Sequence, residues 1–257
     1  IRNYISREYS GERMVIAATG AVEHDKIVEM VQARFSGFSK VTPYSPENLA
    51  HYVGGDYREP RQLQDTQFLL GFEGRAYQAK DFYASQLLSM ILGGGMSSRL
   101  FQEVREKRGY CYSVFAFHWG FSDTGVFGIN AATGEEDLPK LLPVILDELK
   151  RASEDITTEE ADRARAQIRS GLMMSMESPA ARAGTIARQL LLFGRTISNE
   201  ELMERLEAIS SDRLRDLAGR LFQESTPTVA AVGDVGHVMD QDAVIAALGS
   251  TRANAAE

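Results

Sequence analysis

One stretch, positions 92–112, constrains this chain more than any other. Three consecutive glycines, Gly93, Gly94 and Gly95, follow an apolar run. Glycine loses more conformational entropy on ordering than any other residue, so such a run marks a turn or a close backbone approach. Ser97 or Ser98 then stands where it caps a short charged helix whose apolar positions are Leu100, Phe101 and Val104. Lys107 and Arg108 sit where cations complement the helix dipole, and Gly109 suits a left-handed C-terminal cap. Beyond it, positions 110–119 are rich in aromatic residues, as strands are. The stretch predicts a helix end, a hinge, a short helix and a strand, in that order.

The flanking pattern extends this reading. Positions 14–19 form a short apolar run ending at Gly20 and predict a buried strand. Ile27, Val28, Val31 and Phe35 recur at helical spacing, which predicts an amphipathic helix over 24–38. Pro43 and Pro46 among polar residues mark 39–48 as a linker. Positions 51–58 and 66–72 are candidate strands. A helix over 81–92 turns Phe82, Leu87, Leu88 and Ile91 toward a core. Positions 110–119 and 125–133 predict a hairpin through 120–124.

Helices dominate after that. One spans 135–152, with Leu138, Leu141, Leu142, Ile145 and Leu149 on one face. Another spans 157–176 behind a Thr157…Glu160 start signal. Others follow from Pro179 to about 194, over 199–208 and over 211–222. A strand at 226–235 and a helix to 248 close the pattern, and 249–257 is small, polar and frayed. Strands followed by a helical run indicate an α+β fold.

Composition excludes several function classes. A net charge of −8 argues against a general nucleic-acid binder. The single cysteine, Cys111, excludes an internal disulfide and fixes no compartment. No apolar run reaches the roughly 20 residues that a membrane span needs. The chain opens on Ile1 without a signal-peptide pattern and reads as a fragment or a processed product. The cytoplasm is then the default compartment, with an upstream targeting segment left open.

An internal repeat organises the whole. Val15-Ile16-Ala17-Ala18-Thr19-Gly20-Ala21-Val22-Glu23-His24 resembles Thr228-Val229-Ala230-Ala231-Val232-Gly233-Asp234-Val235-Gly236-His237. Each copy reads as strand, glycine turn and helix. Chance is one explanation, because small-residue strands before a glycine are common. A duplicated domain is the other, and the offset of about one domain length fits it.

The run Gly-Gly-Gly-Met-Ser-Ser-Arg-Leu-Phe-Gln at 93–102, followed by Arg-Glu-Lys-Arg-Gly at 105–109, carries a family resemblance. It resembles the second domain of the insulinase-type (M16) zinc metallopeptidases, which include processing-protease-like proteins and mitochondrial processing peptidase subunits. The resemblance covers essentially the whole chain. It implies an α+β fold, an antiparallel-rich sheet flanked by helices, in an M16 peptidase-like (metallopeptidase-homologous) domain. Two such halves would close around a peptide chamber. On this basis 1–42 is the end of a first domain with the start of a linker, and 43–50 is the linker. Positions 51–249 are a second, inactive, substrate-binding domain, and 250–257 a disordered tail.

The family's inverted zinc motif, His-x-x-Glu-His, has no match here. His24, His51, His118 and His237 are far apart in sequence. The resemblance therefore implies zinc as cofactor of the full-length protein, with its ligands upstream, and no metal ligand or cofactor in this chain. It does imply roles for Arg105 and Tyr112, as contacts to the substrate carbonyl while it becomes an oxyanion. It also implies substrate binding along Gly93, Gly94 and Gly95. Tyr110 departs from the family pattern, which has a smaller aliphatic residue there. The implied function is the C-terminal, substrate-binding half of a zinc metalloendopeptidase that cleaves peptides or unfolded segments in a clamshell chamber. The isolated chain would be inactive. The alternative is a non-catalytic partner or scaffold subunit. The implied partners are a peptide substrate and either the missing N-terminal half or a homologous M16 subunit, including as a dimer. No nucleic acid and no membrane span are expected.

Taken on the residues alone, plainer readings compete. Arg105 reads as part of a solvated helix end, with Glu103 and Lys107 as a surface ion pair. Tyr112 reads as a strand residue with a satisfied hydroxyl. The glycines read as a hinge, and no Gly-Lys-Ser/Thr ending makes them a nucleotide loop. Cys111 reads as a buried small residue, and His118 and Trp119 as packing or rim residues. Met173, Met174 and Met176 read as core filler. His24 and His237 read as helix caps after the repeated strands. Glu154, Asp155, Glu159 and Glu160 read as a solvated acidic face.

Overall fold

The computed structural model describes residues 1–38 and 49–249. The expected tail at 250–257, and the expected linker apart from Leu49 and Ala50, lie outside the described residues. Among the described residues there are five strands: β1 (Gly55–Pro60), β2 (Thr66–Glu73), β3 (Ser113–Gly120), β4 (Gly125–Thr133) and β5 (Thr228–Gly233). The early helices are α1 (Arg2–Glu8), α2 (His24–Phe35), α3 (Phe82–Gly93), α4 (Leu138–Asp155) and α5 (Thr158–Glu177). They are followed by α6 (Pro179–Phe193), α7 (Asn199–Glu207), α8 (Ser211–Gln223) and α9 (Gln241–Leu248). The chain divides into two compact units. One comprises Ile1–Leu49 with Arg169–Leu202, the other Ala50–Ile168 with Met203–Glu257.

The larger unit is built on one mixed sheet in the order β1-β5-β2-β4-β3. Only β1 and β5 run parallel; the other three pairings are antiparallel. Side chains alternate across a strand, so register decides which face is buried. Val114, Ala131, Phe68 and Ala231 align across the sheet, as do Ala116, Ile129, Leu70 and Val229. These rows, with His118, Phe127 and Phe72, form the covered face. Helices α3 and α8 pack on it: the Phe222 ring meets Phe72 at 5.0 Å and Phe127 at 5.5 Å, both edge-on. Fully burying such a ring contributes about 1.5–3 kcal/mol. The opposite face carries Phe115 and Trp119, both exposed, Trp119 at 60%.

Local chemistry sets the helix bounds. In α4 the residues Leu138, Leu141, Leu142, Ile145 and Leu149 are all buried on one stripe, as their spacing predicts. The hairpin β3–β4 closes through a bond from Phe121 N to Thr124 O of 2.8 Å. Ser210 caps α8 and Asp240 caps α9, each accepting from a backbone N–H three residues on. The Thr157–Glu160 signal is a reciprocal capping box. Glu160 N donates to the Thr157 hydroxyl at 3.2 Å, and Thr157 N donates to the Glu160 carboxylate at 2.9 Å.

Several expectations require correction. Positions 14–19 form no strand, and they are not buried. A strand needs a hydrogen-bonding neighbour, and the described residues of the smaller unit offer only helices and loops. The second copy of the repeat does form a strand, β5, and both copies keep a positive-φ glycine: Gly20 at 110° and Gly233 at 134°. Neither repeated histidine is a cap. His24 is the first residue of α2, whose start has no side-chain cap, and His237 lies in a turn before Asp240. Met173, Met174 and Met176 are exposed rather than core. Their part of α5 belongs to the smaller unit, where α2 and α6 bury no residue and so offer no core to fill. Strand β1 starts at Gly55, later than the pattern indicates, and β3 starts at Ser113, so Tyr110 and Tyr112 precede it.

Candidate functional site

The site grows out of the α3–β3 connection. Helix α3 ends at Gly93, which is buried against β3. A Cβ there would fall on the Ala116 backbone nitrogen and within 2.8 Å of the Phe115 carbonyl carbon. Gly93 is therefore the residue that lets helix and strand touch. Gly94 packs against Met90, the residue whose carbonyl accepts its N–H at 3.0 Å. Around Gly95 there is more room, the nearest atom to an added Cβ being Gln167 Nε2 at 3.6 Å.

Helical geometry resumes at Arg99 and runs through a π-helical turn, Phe101–Glu106. Neither Ser97 nor Ser98 caps it; the buried Ser98 hydroxyl has no hydrogen-bond partner. Leu100 and Val104 are fully buried and anchor one side. The bond from Lys107 N to Gln102 O spans five residues, the mark of the π turn. Gly109 then takes φ +67°, the left-handed cap that its position predicts, with its N–H on the Arg105 carbonyl at 2.9 Å. Glu103 holds the last turn by ion pairs to Lys107 at 2.5 Å and Arg108 at 2.7 Å.

This arrangement brings Arg105 and Tyr112 together. The Arg105 guanidinium carbon lies 4.8 Å from the centre of the Tyr112 ring and 4.6 Å from that of Phe101. Both are cation–π distances. Tyr112 is 82% exposed, against the plain reading of a strand residue with a satisfied hydroxyl. Glu106, 3.9 Å away, is the nearest carboxylate to Arg105. An arginine that meets its neighbours through ring faces keeps its N–H donors for an incoming acceptor. Phe101 is the member of this group that sequence reasoning missed. Its signal was the four-residue spacing to Arg105, which places both on one helical face.

The neighbours of the pair are inert. Cys111 is buried, and burial pushes its thiol up to about 11, so it stays protonated. His118 is buried on the covered face, its Nε2 accepting from Arg75 N at 2.9 Å. Burial, with the Arg75 charge adding, lowers its pKa to about 4. Of the acidic group expected to be solvated, Glu154 and Glu159 are exposed, whereas Asp155 and Glu160 pair with Arg99. Among the described residues no three His, Cys, Asp or Glu side chains converge on one point. These residues do not fit a zinc site. No helix among them is long and apolar enough to cross a membrane.

A family described as the Peptidase M16 inactive domain matches residues 1–168. This chain belongs to the M16 peptidase family. It is 37% identical over 233 residues to an uncharacterized zinc protease of Rickettsia bellii (strain RML369-C), covering 90% of this chain and 56% of that protein. It is 30% identical over 254 residues to a probable mitochondrial-processing peptidase subunit beta of Arabidopsis thaliana, covering 93% of this chain and 48% of that one. A chain in the structure of complex III2 from Candida albicans with Inz-5 bound superposes with a TM-score of 0.78 at 21% identity. That alignment covers 88% of this chain and 56% of the other, and shows a shared M16 fold. The chain spans about half the length of the curated relatives it matches.

Proposed function

We propose that this M16 chain is the substrate-binding half of a zinc metalloendopeptidase that cleaves peptides or unfolded segments in a closed chamber. The observation that carries the reading is the Arg105 guanidinium stacked on the exposed Tyr112 ring. In this reading both groups donate hydrogen bonds to the carbonyl oxygen of the scissile peptide as negative charge builds on it. Donors fixed before the reaction need no reorganisation when that charge appears, which is why they lower the barrier. Phe101 and Tyr112 both offer ring faces to the guanidinium, and the Tyr112 hydroxyl adds a second donor. Zinc would come from residues outside this chain, so no step here runs through it.

The test uses the full-length protein. Arg105→Ala and Tyr112→Phe should each lower kcat by about 10²–10³-fold, the usual cost of one oxyanion donor. Zinc content should remain that of the wild type. Wild-type turnover in both variants would remove the proposed role.

A second reading is a partner subunit that lends Arg105 and Tyr112 to a homologous catalytic chain. The likeness to a probable mitochondrial-processing peptidase subunit beta, 30% identical over 254 residues, supports it. Zinc analysis of the purified full-length protein separates the two. Bound zinc with turnover supports the peptidase. A zinc-free protein that raises turnover only when mixed with a homologous M16 subunit supports the partner.

A further inference from the structure

Arg99 precedes Arg105 on the same short helix, yet its contacts point elsewhere. Its side chain is only 10% exposed, unusual for arginine. Nε and Nη2 donate to the two Glu160 carboxylate oxygens at 2.7 and 2.8 Å. Nη1 donates to Asp155 Oδ1 at 2.5 Å, and Nη2 also reaches the Asp155 carbonyl at 3.1 Å. A two-pronged arginine–carboxylate fork fixes the plane of the guanidinium as well as its position. Burial alone would raise the pKa of both carboxyls; the Arg99 charge and hydrogen bonds outweigh it and hold them low.

The far side of this contact is rigid. Glu160 Oε2 also accepts from Thr157 N at 2.9 Å and from the Thr157 hydroxyl at 3.1 Å, closing the capping box of α5. Asp155 ends α4. Arg99 thus ties the start of the Arg105 helix to the α4–α5 corner. The neighbouring Ser98 hydroxyl is buried and makes no hydrogen bond. A π turn lies between Arg99 and Arg105, so the direction of Arg105 depends on how the first turn is held.

We propose that Arg99 is a positioning residue for the Arg105–Tyr112 pair, setting the rotation of the helix that carries Arg105 through its fork on Asp155 and Glu160. The proposal rests on the function proposed above for that pair. A misplacement of about 1 Å remote from the chemistry costs on the order of 10²-fold in rate.

A double-mutant cycle in the full-length protein tests it. Arg99→Gln should lower kcat about 10- to 100-fold at a temperature where circular dichroism shows the variant folded. In an Arg105→Ala background the same substitution should change kcat less than about twofold, because the group it aims is gone. A loss of equal size in both backgrounds, or none in either, overturns the positioning role while leaving the function of Arg105 intact. Wild-type kcat in Arg105→Ala itself overturns the function first and this proposal with it. If Arg99→Gln does not fold, Asp155→Asn replaces it in the cycle, since the Glu160 fork is then kept. The same non-additivity is expected, and additivity again overturns the role.

Discussion

At the scale of single residues, His118 and Arg105 show how environment decides what a polar side chain does. His118 sits under Phe82 at 5.3 Å, and a backbone N–H from Arg75 already occupies its Nε2. Its pKa falls from 6.5 to about 4, so it folds neutral. Between those values the unfolded chain binds a proton that the folded chain refuses. Stability therefore falls as pH drops through this window, by about 3 kcal/mol in all. His118→Gln should flatten the urea-measured stability difference between pH 7 and pH 4.5. An unchanged slope would mean that the histidine is not held neutral. Arg105 is the opposite case: it is held by ring faces and left open to solvent at its edges. The family resemblance singled out Arg105, and its four-residue spacing from Phe101 put those two on one helical face. The full burial of His118 follows from strand register, and the approach of Tyr112 to Arg105 follows a π turn that the local pattern does not announce.

At the scale of elements, the glycine run divides into unlike parts. Gly93 makes the α3–β3 contact possible, while Gly95 has space around it. Gly93→Ala should cost about 1–3 kcal/mol, because backbone cannot yield as a flexible side chain does. Gly95→Ala should change stability by less than about 0.5 kcal/mol. Urea midpoints of the two variants check this; equal losses would contradict the packing role of Gly93. Much of this level was legible beforehand. The stripe of α4, the Thr157 cap, the left-handed Gly109 and the β3–β4 hairpin are local signals carried within a few residues. The partners of Arg99 lie 56 and 61 positions away, so their carboxylates looked merely solvated. Positions 14–19 failed for the related reason that a strand's existence depends on a neighbour the pattern cannot supply.

At the scale of the whole chain, helices of the larger unit cover one face of its sheet, and Phe115 and Trp119 on the other face are exposed. The Arg105–Tyr112 pair stands where the chain enters the edge strand β3. Membership of the M16 family accounts for the α+β architecture. In the division of labour proposed for the full-length protein, this chain would supply donors that touch the substrate while the metal is held elsewhere. The most direct measurement is photo-crosslinking from position 112 in the full-length protein, with p-benzoylphenylalanine in place of Tyr112 and a non-cleavable peptide bound. The proposed contact of Tyr112 with the scissile carbonyl predicts crosslinks to the residues flanking the bond that would be cut. Crosslinks confined to distant parts of the peptide, or none with peptide bound, would contradict it.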